Sequence, residues 1–261
     1  MSAADMFSLN GKSALITGAT GALGAAAAKA MANAGALVTI TGSNESKLQA
    51  LAEKLGGEAA GVRIYVGRPS TEEACDAMVA AASDGGRGLD ILIPASGTAA
   101  VQPALDMTAE TWDNVMDANV RQTWLISRSA GRVMIDQGRG GAIIPVSSVR
   151  ARFATAAGTS AYAPSKSAVD MITRSLATEW GVHNIRVNAI APTVFRSELT
   201  AWLFEDDERA TNARKEVLAR IPLKRLAEPE DFGGVLVFLA SSASSIITGQ
   251  IINVDGGFSA N

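Results

Sequence analysis

The chain has 261 residues, 48% of them apolar and 19% charged, with a net charge of -3. That length suits one large α/β domain with a sizeable core, and the composition excludes a disordered chain. The small negative charge offers no electrostatic footprint for nucleic acid or for an anionic membrane. No run of 18 apolar residues occurs, and the start MSAADMFSLNGK lacks a basic stretch followed by an apolar one. Neither a membrane span nor a signal peptide is therefore expected, and a cytoplasmic protein is. Cys75 is the only cysteine and His183 the only histidine, so no intrachain disulfide and no zinc site of the usual ligands is expected. Cys75 reads as a small core or flank residue in a helical pattern, His183 as a turn residue before a strand.

Short apolar runs alternate with longer helical patterns along the whole chain. SALITG (13–18) reads as a buried strand, followed by an Ala-rich helix that stops at Gly35. LVTITG (37–42) is a second strand, and Asn44 can cap the helix after it. VRIYVG (62–67) is a third, leading to a helix capped by Ser70 or Thr71 with acids in its first turn. LDILIPA (89–95) is the fourth strand, a long helical pattern covers about 108–137, and GAIIPVSS (141–148) is the fifth. A helix over SAYAPSKSAVDMITRSLATEW precedes the sixth strand, NIRVNAIAP. A helix with Pro229 near its start and the strand GQIINVDGG close the chain. Strict alternation of this kind predicts a single doubly wound Rossmann-type domain over 1–261, with seven parallel strands and helices on both faces. Only 195–227 interrupts the pattern, after a strand's C-terminal end, where insertions overlie the ligand crevice.

Three features carry chemistry. In ITGATGALG, Gly18, Gly21 and Gly24 fall between the first strand and the first helix, where a backbone can approach a pyrophosphate at a helix N-terminus. Tyr162 and Lys166 are four residues apart and share a helix face, with Pro164 tolerated if it lies in the first turn. A nearby ammonium favours tyrosinate, so Lys166 is expected to lower the Tyr162 pKa, as a general acid/base near neutral pH requires. Taken alone, the pair reads rather as a solvated lysine beside a half-buried tyrosine. The fifth strand adds Ser147 and Ser148 at the usual ligand edge.

The set TGATGALG, VSS, YAPSK and INVDGG, in that order and spacing, resembles the short-chain dehydrogenase/reductase family over nearly the whole chain. NIRVNAIAP and the stretch from IPLKRLAEPEDF to INVDGG are similar to the family's C-terminal third. The resemblance implies a catalytic set of Asn119, Ser148, Tyr162 and Lys166. Tyr162 would exchange the proton with the substrate oxygen and Ser148 would hold that oxygen. Lys166 would bind the nicotinamide ribose, and Asn119 would hold a water in a relay to Lys166. It further implies an NAD(P)(H) site built from Gly18, Thr20, Gly21, Ala22, Leu23, Gly42, Ser43, Arg68, Pro69, Ala95, Ser96, Gly97, Pro192, Thr193, Phe195 and Ser197, together with Tyr162 and Lys166. Substrate contacts are expected from Ser148, Arg150, Phe153, Tyr162 and Trp202, and the assembly is expected to be a homotetramer with Trp112 and Trp124 in core or interface.

The chain departs from the family pattern at Ala22 in the glycine turn, at Pro94-Ala95-Ser96-Gly97 after the fourth strand, at Arg68, and at Thr193. The Ser148–Tyr162 interval is one residue longer than is common. The segment 195–213 reads as an amphipathic lid with Leu199, Trp202 and Leu203 on one face. With Phe204 and Phe153, it favours an apolar or cyclic secondary alcohol or its ketone. A 3-oxoacyl-thioester reductase, a sugar or sugar-acid dehydrogenase, and a cofactor-sensing regulator without turnover are the alternatives. Gly42 stands where an acid that repels a 2′-phosphate would be expected, and Lys47 and Arg68 offer positive charge. The balance tilts slightly towards NADP(H).

Overall fold

In the computed structural model, residues 2–83, 86–155 and 158–260 are described. A short helix absent from the sequence reading, α1 (Ala3–Phe7), opens the chain; Ser2 and Asp5 cap it reciprocally. Then follow β1 (Ser13–Thr17), α2 (Ala22–Asn33), β2 (Leu37–Gly42), α3 (Glu45–Lys54), β3 (Val62–Val66), α4 (Glu72–Ala82) and β4 (Ile91–Pro94). The long helical pattern becomes α5 (Ala109–Met116), a π turn (Asp117–Arg121) and α6 (Gln122–Asp136). Next come β5 (Gly141–Ile143), α7 (Tyr162–Trp180), β6 (Ile185–Val187), β7 (Ala189–Pro192), α8 (Glu208–Ala219), α9 (Gly233–Ala240) and β8 (Ile251–Val254).

The strands form a six-stranded parallel sheet in the order β3-β2-β1-β4-β5-β6, and β7 pairs with β8, also in parallel. Among the described residues, eight strands thus stand where seven were expected, because NIRVNAIAP breaks at Asn188. Its N–H donates to the Ile143 carbonyl at 3.1 Å. Its side chain donates to the Ile247 carbonyl at 2.8 Å and accepts from the Gln250 N–H at 3.0 Å. A bridge between Val146 and Ile190 joins the β7–β8 pair to the larger sheet.

Alternation along the strands divides the core into two layers. Ala14, Ile16, Val38, Ile40, Ile91 and Ile93 pack with α2, α3 and α9 on one face. Leu15, Leu92 and Ile143 pack with α4, α6 and α7 on the other, and Cys75 is buried there as expected. Each fully buried Leu, Ile or Met contributes about 2 kcal/mol from water exclusion. Small residues allow close helix approach: a Cβ on Gly131 of α6 would stand 2.7 Å from the Trp180 ring of α7. Thr71, Asn44 and Gly35 take their expected places at helix ends, and His183 lies in the turn before β6. Among the described residues, no helix is long and apolar enough to cross a membrane.

The strand order reverses between β1 and β4, which opens a crevice at the C-terminal ends of these strands. The glycine turn after β1 and the segments after β4 and β5 all meet that edge.

Candidate active site

The turn after β1 is as tight as its glycines imply. Gly18 has φ +64°, and a Cβ there would lie 2.7 Å from the Ser96 nitrogen; one on Gly24 would lie 2.3 Å from the Gly18 carbonyl oxygen. Gly21 precedes α2 and makes no side-chain cap, so the first amides of the helix, Ala22 and Leu23, have no intrahelical acceptor and no capping side chain. Such amides at a positive helix end suit a pyrophosphate. Ala22 is the first helical residue, so its methyl leaves the turn intact. Across the crevice the Ala95 N–H donates to the Thr17 carbonyl at 3.3 Å and the Ser96 hydroxyl to Thr17 Oγ1 at 3.0 Å. These contacts provide the cradle that a dinucleotide requires.

At the end of β2, Gly42 is buried, and a Cβ there would sit 3.1 Å from the Thr20 methyl. Arg68 donates to the Ser43 hydroxyl at 3.3 Å, which brings these two expected residues together beside buried Pro69. Lys47 behaves differently from the expectation. It donates to Glu198 at 2.6 Å, so its charge is already met by the segment after β7.

Ser147 and Ser148 lie beyond the end of β5, still tied to the sheet edge through the Ser147 N–H to the Ile190 carbonyl at 2.8 Å. The two hydroxyls diverge. Ser147 donates to the buried Asp170 of α7. The Ser148 hydroxyl lowers the Tyr162 pKa and accepts the Arg150 N–H at 3.1 Å. Tyr162 is the first residue of α7, which puts Pro164 within the first turn, where its missing N–H costs nothing.

One turn on, Lys166 is buried and donates to the Val146 carbonyl at 2.9 Å, its nitrogen 5.8 Å from the Tyr162 ring centre. Burial pushes Lys166 down to about 8, opposed by Asp170. Tyr162 does not follow the expected sign. Burial raises its pKa, and the Ser148 hydrogen bond and the Arg150 charge pull the other way without prevailing. The cation that acts on the phenol here is Arg150 rather than Lys166.

The π turn holds Asn119, which is fully buried. Its amide donates to the Thr98 carbonyl and to Ser165 Oγ, both at 2.9 Å, while its oxygen accepts the Thr98 N–H at 2.8 Å. A Cβ on Gly97 would lie 2.9 Å from the Asn119 oxygen and 3.6 Å from the Lys166 nitrogen, so Asn119, Lys166 and the loop after β4 converge on one point. π turns recur at functional sites because they redirect a side chain without ending a helix.

Pro192, the last residue of β7, and Thr193 after it are buried, the Phe195 ring meets Phe232 edge-on at 5.2 Å, and Ser197 forms a reciprocal cap with Thr200. The single amphipathic helix expected over 195–213 is two elements: a 3-10 turn (Glu198–Phe204), then α8 capped by Asp207. Leu203 is buried, whereas Trp202 is 41% exposed with the Arg209 guanidinium 5.0 Å from its ring. The Leu199 side chain lies outside the described residues. Arg150 and Phe153 reach a residue that the sequence reading missed. The Arg150 guanidinium carbon is 5.8 Å from the ring centre of Phe258, and the Phe153 ring meets the same ring edge-on at 5.8 Å. No local spacing signals Phe258, because it comes from the far C-terminus.

The profile of a family described as enoyl-(acyl carrier protein) reductase matches residues 18–259. The chain is 50% identical to an oxidoreductase of Mycobacterium tuberculosis over 254 residues, 97% of this chain and 93% of the relative. It is 37% identical to galactitol 2-dehydrogenase of Rhizobium johnstonii, over 99% of each chain. It superposes with a TM-score of 0.92, at 30% identity and over 100% of each chain, on the structure of a gluconate 5-dehydrogenase from Burkholderia cenocepacia in complex with NADP and tartrate. With the glycine turn, the six-stranded Rossmann-type sheet and the Ser–Tyr–Lys arrangement in place, these likenesses put the chain in the short-chain dehydrogenase/reductase family of NAD(P)-linked oxidoreductases.

Proposed function

We propose that the enzyme interconverts a secondary hydroxyl and a ketone on a polyol or sugar acid, with Ser148, Tyr162, Lys166 and Asn119 as its catalytic set. This favours the sugar dehydrogenase reading over the apolar alcohol first expected; the named relatives act on galactitol and gluconate, and Trp202 stands at the surface. The juxtaposition of Tyr162 and Lys166 carries the assignment: they lie one helical turn apart, with the Lys166 nitrogen 5.8 Å from the Tyr162 ring centre and Ser148 acting on the phenol. When bound, the nicotinamide supplies the hydride chemistry. Tyr162 moves the proton at the substrate oxygen, and Ser148 holds that oxygen by a second hydrogen bond. Lys166, poised near neutrality by its burial, is placed to bind the ribose and to feed protons towards Tyr162. The Asn119 side chain is consumed by Thr98 and Ser165, so its part is to fix the loop after β4, and a relay water would rest on backbone groups.

The glycine turn with Ala22 and Leu23, the Gly42–Ser43–Arg68 corner, and the loop Ala95–Gly97 would hold the dinucleotide. Pro192, Thr193, Phe195 and Ser197 would line its far side. The absence of an acid at Gly42 and the Arg68–Ser43 contact support NADP(H) over NAD(H), as does the NADP bound in the Burkholderia relative. Exposed Trp112 and Trp124 on α5 and α6 support burial of this helix pair in a homotetramer, and 195–213 supports a lid role.

The test is nicotinamide absorbance with galactitol and gluconate as substrates. Tyr162→Phe lowers kcat by about 10³-fold, the scale of acid–base catalysis, while NADP+ still quenches protein fluorescence with near-normal affinity. Turnover in Tyr162→Phe close to the wild-type rate contradicts the assignment.

A further inference from the structure

Arg150, which acts on the Tyr162 phenol, shares an aromatic ring with a second guanidinium, that of Arg220, which has no part in the chemistry above. Arg150 follows Ser148 in a 3-10 turn (Val149–Ala151), and its backbone N–H is bonded to the Ser148 hydroxyl at 3.1 Å. Arg220 ends α8. Their guanidinium carbons lie 5.8 and 4.3 Å from the centre of one ring, that of Phe258, which is buried. Two like charges flanking one ring repel each other, and burial adds to the cost for Arg150, whose pKa is lowered first by burial and then by Arg220.

An arrangement of this kind persists where something offsets the repulsion. Among the described residues, no carboxylate forms an ion pair with either group, whereas Arg128, Arg139, Arg196 and Arg225 each meet one. The Arg150 guanidinium has, among the described residues, a single long bond, 3.4 Å, to the Phe153 carbonyl. The charge of Arg150 is felt at Tyr162, the proton-transfer group. A guanidinium fork matches an oxyanion in two-point geometry, and two forks hold it at a fixed distance from Ser148.

We propose that Arg150 and Arg220 hold an oxyanion on the substrate, a carboxylate or a phosphate ester, so that the enzyme prefers an acidic sugar derivative to a neutral polyol. The inference rests on the dehydrogenase reading for its kinetic test, and a binding test stands apart from it. With wild-type enzyme and NADP+, kcat/KM is expected to be about 10–100-fold higher for gluconate or for a hexitol phosphate than for galactitol, the scale of charge-assisted hydrogen bonds. Whichever of the two anions is faster identifies the oxyanion. Arg220→Gln and Arg150→Gln each reduce that ratio about tenfold, mainly through KM for the anion, and Arg220→Lys restores part of it. Thermal melts verify folding; Arg220 is exposed at the end of its helix, so Arg220→Gln is the safer variant.

In parallel, tartrate is titrated calorimetrically into the enzyme–NADP+ complex, with binding expected in the wild type and loss in Arg220→Gln. Equal kcat/KM for galactitol and both anions, or a preference unchanged in both Gln variants, overturns the inference and leaves the dehydrogenase reading intact. If neither anion nor polyol is turned over, that reading falls, and the titration decides alone: tartrate binding lost in Arg220→Gln upholds the paired-arginine site, and no binding overturns it.

Discussion

Tyr162 is partly buried in the first turn of α7, with Ser148 and the Arg150 charge both acting on its phenol. Burial raises its pKa and the other two lower it, with burial ahead. Alcohol oxidation in the proposed mechanism needs the phenolate, and ketone reduction needs the phenol. The oxidative kcat/KM is therefore expected to climb as pH rises above neutrality, while the reductive one stays level and then falls. Arg150→Gln removes a charge that favours the phenolate, so both limbs move to higher pH. Profiles in both directions check this, and a shift to lower pH contradicts it. The spacing of Tyr162 and Lys166 was legible because four residues make one helical turn. The sign of the Tyr162 shift was not, because burial is a property of the folded neighbourhood. Arg150 was read as a substrate contact, but its companions Arg220 and Phe258 were out of reach, since they meet it only through the fold.

At the scale of elements, β-α alternation was readable throughout, because buried parallel strands are apolar runs and the helices between them carry caps and glycine stops. Two details were not. Asn188 splits a continuous apolar run by spending its side chain on the neighbouring strand's backbone, and DANVR carries no breaker to announce a π turn. Helix packing yields a further expectation. Gly131 of α6 faces the Trp180 ring of α7 with no room for a side chain. Gly131→Val overpacks that contact, at a cost of about 2 kcal/mol. The melting temperature is expected to drop by roughly 5 °C for a domain of this size. A melt unchanged from wild type would mean that Trp180 yields freely.

Across the whole molecule, stability and chemistry sit at opposite ends of the sheet. At the N-terminal edge, buried Asp90 accepts from the Ser13 N–H at 3.0 Å, Arg139 Nε at 3.1 Å and Lys12 at 3.3 Å. Burial pushes its pKa up, but Arg139, Ser13 and Lys12 outweigh burial and hold it below the usual carboxylate range. A depressed carboxylate stabilises the fold above its unfolded pKa and loses that contribution as pH falls through the folded value. Asp90→Asn is expected to cost about 2 kcal/mol at neutral pH, discounted for the partly exposed cations. Urea unfolding should show the gap from wild type closing below about pH 4, the unfolded carboxylate range, with kcat unaffected. A gap independent of pH would mean that shape, not charge, matters at this position.

The π turn also sets the angular phase of the helix beyond it. Trp112 and Trp124 lie on either side of it, and both are partly exposed, at 40% and 42%. On an uninterrupted α-helix their separation would set the two indoles about 120° apart around the axis. Absorbing one extra residue in the wider turn brings them to within about 20° of a common line. The local widening that seats Asn119 against Thr98 and Ser165 thus also aligns two indoles into one apolar strip. Deleting a single residue from Asp117–Arg121 would restore an uninterrupted helix whose two indoles, then about eleven residues apart, still lie within about 20° of a common line, while withdrawing Asn119 from the crevice. The single backbone irregularity thus lets the helix spend one more residue on the pocket without turning its outer face out of line.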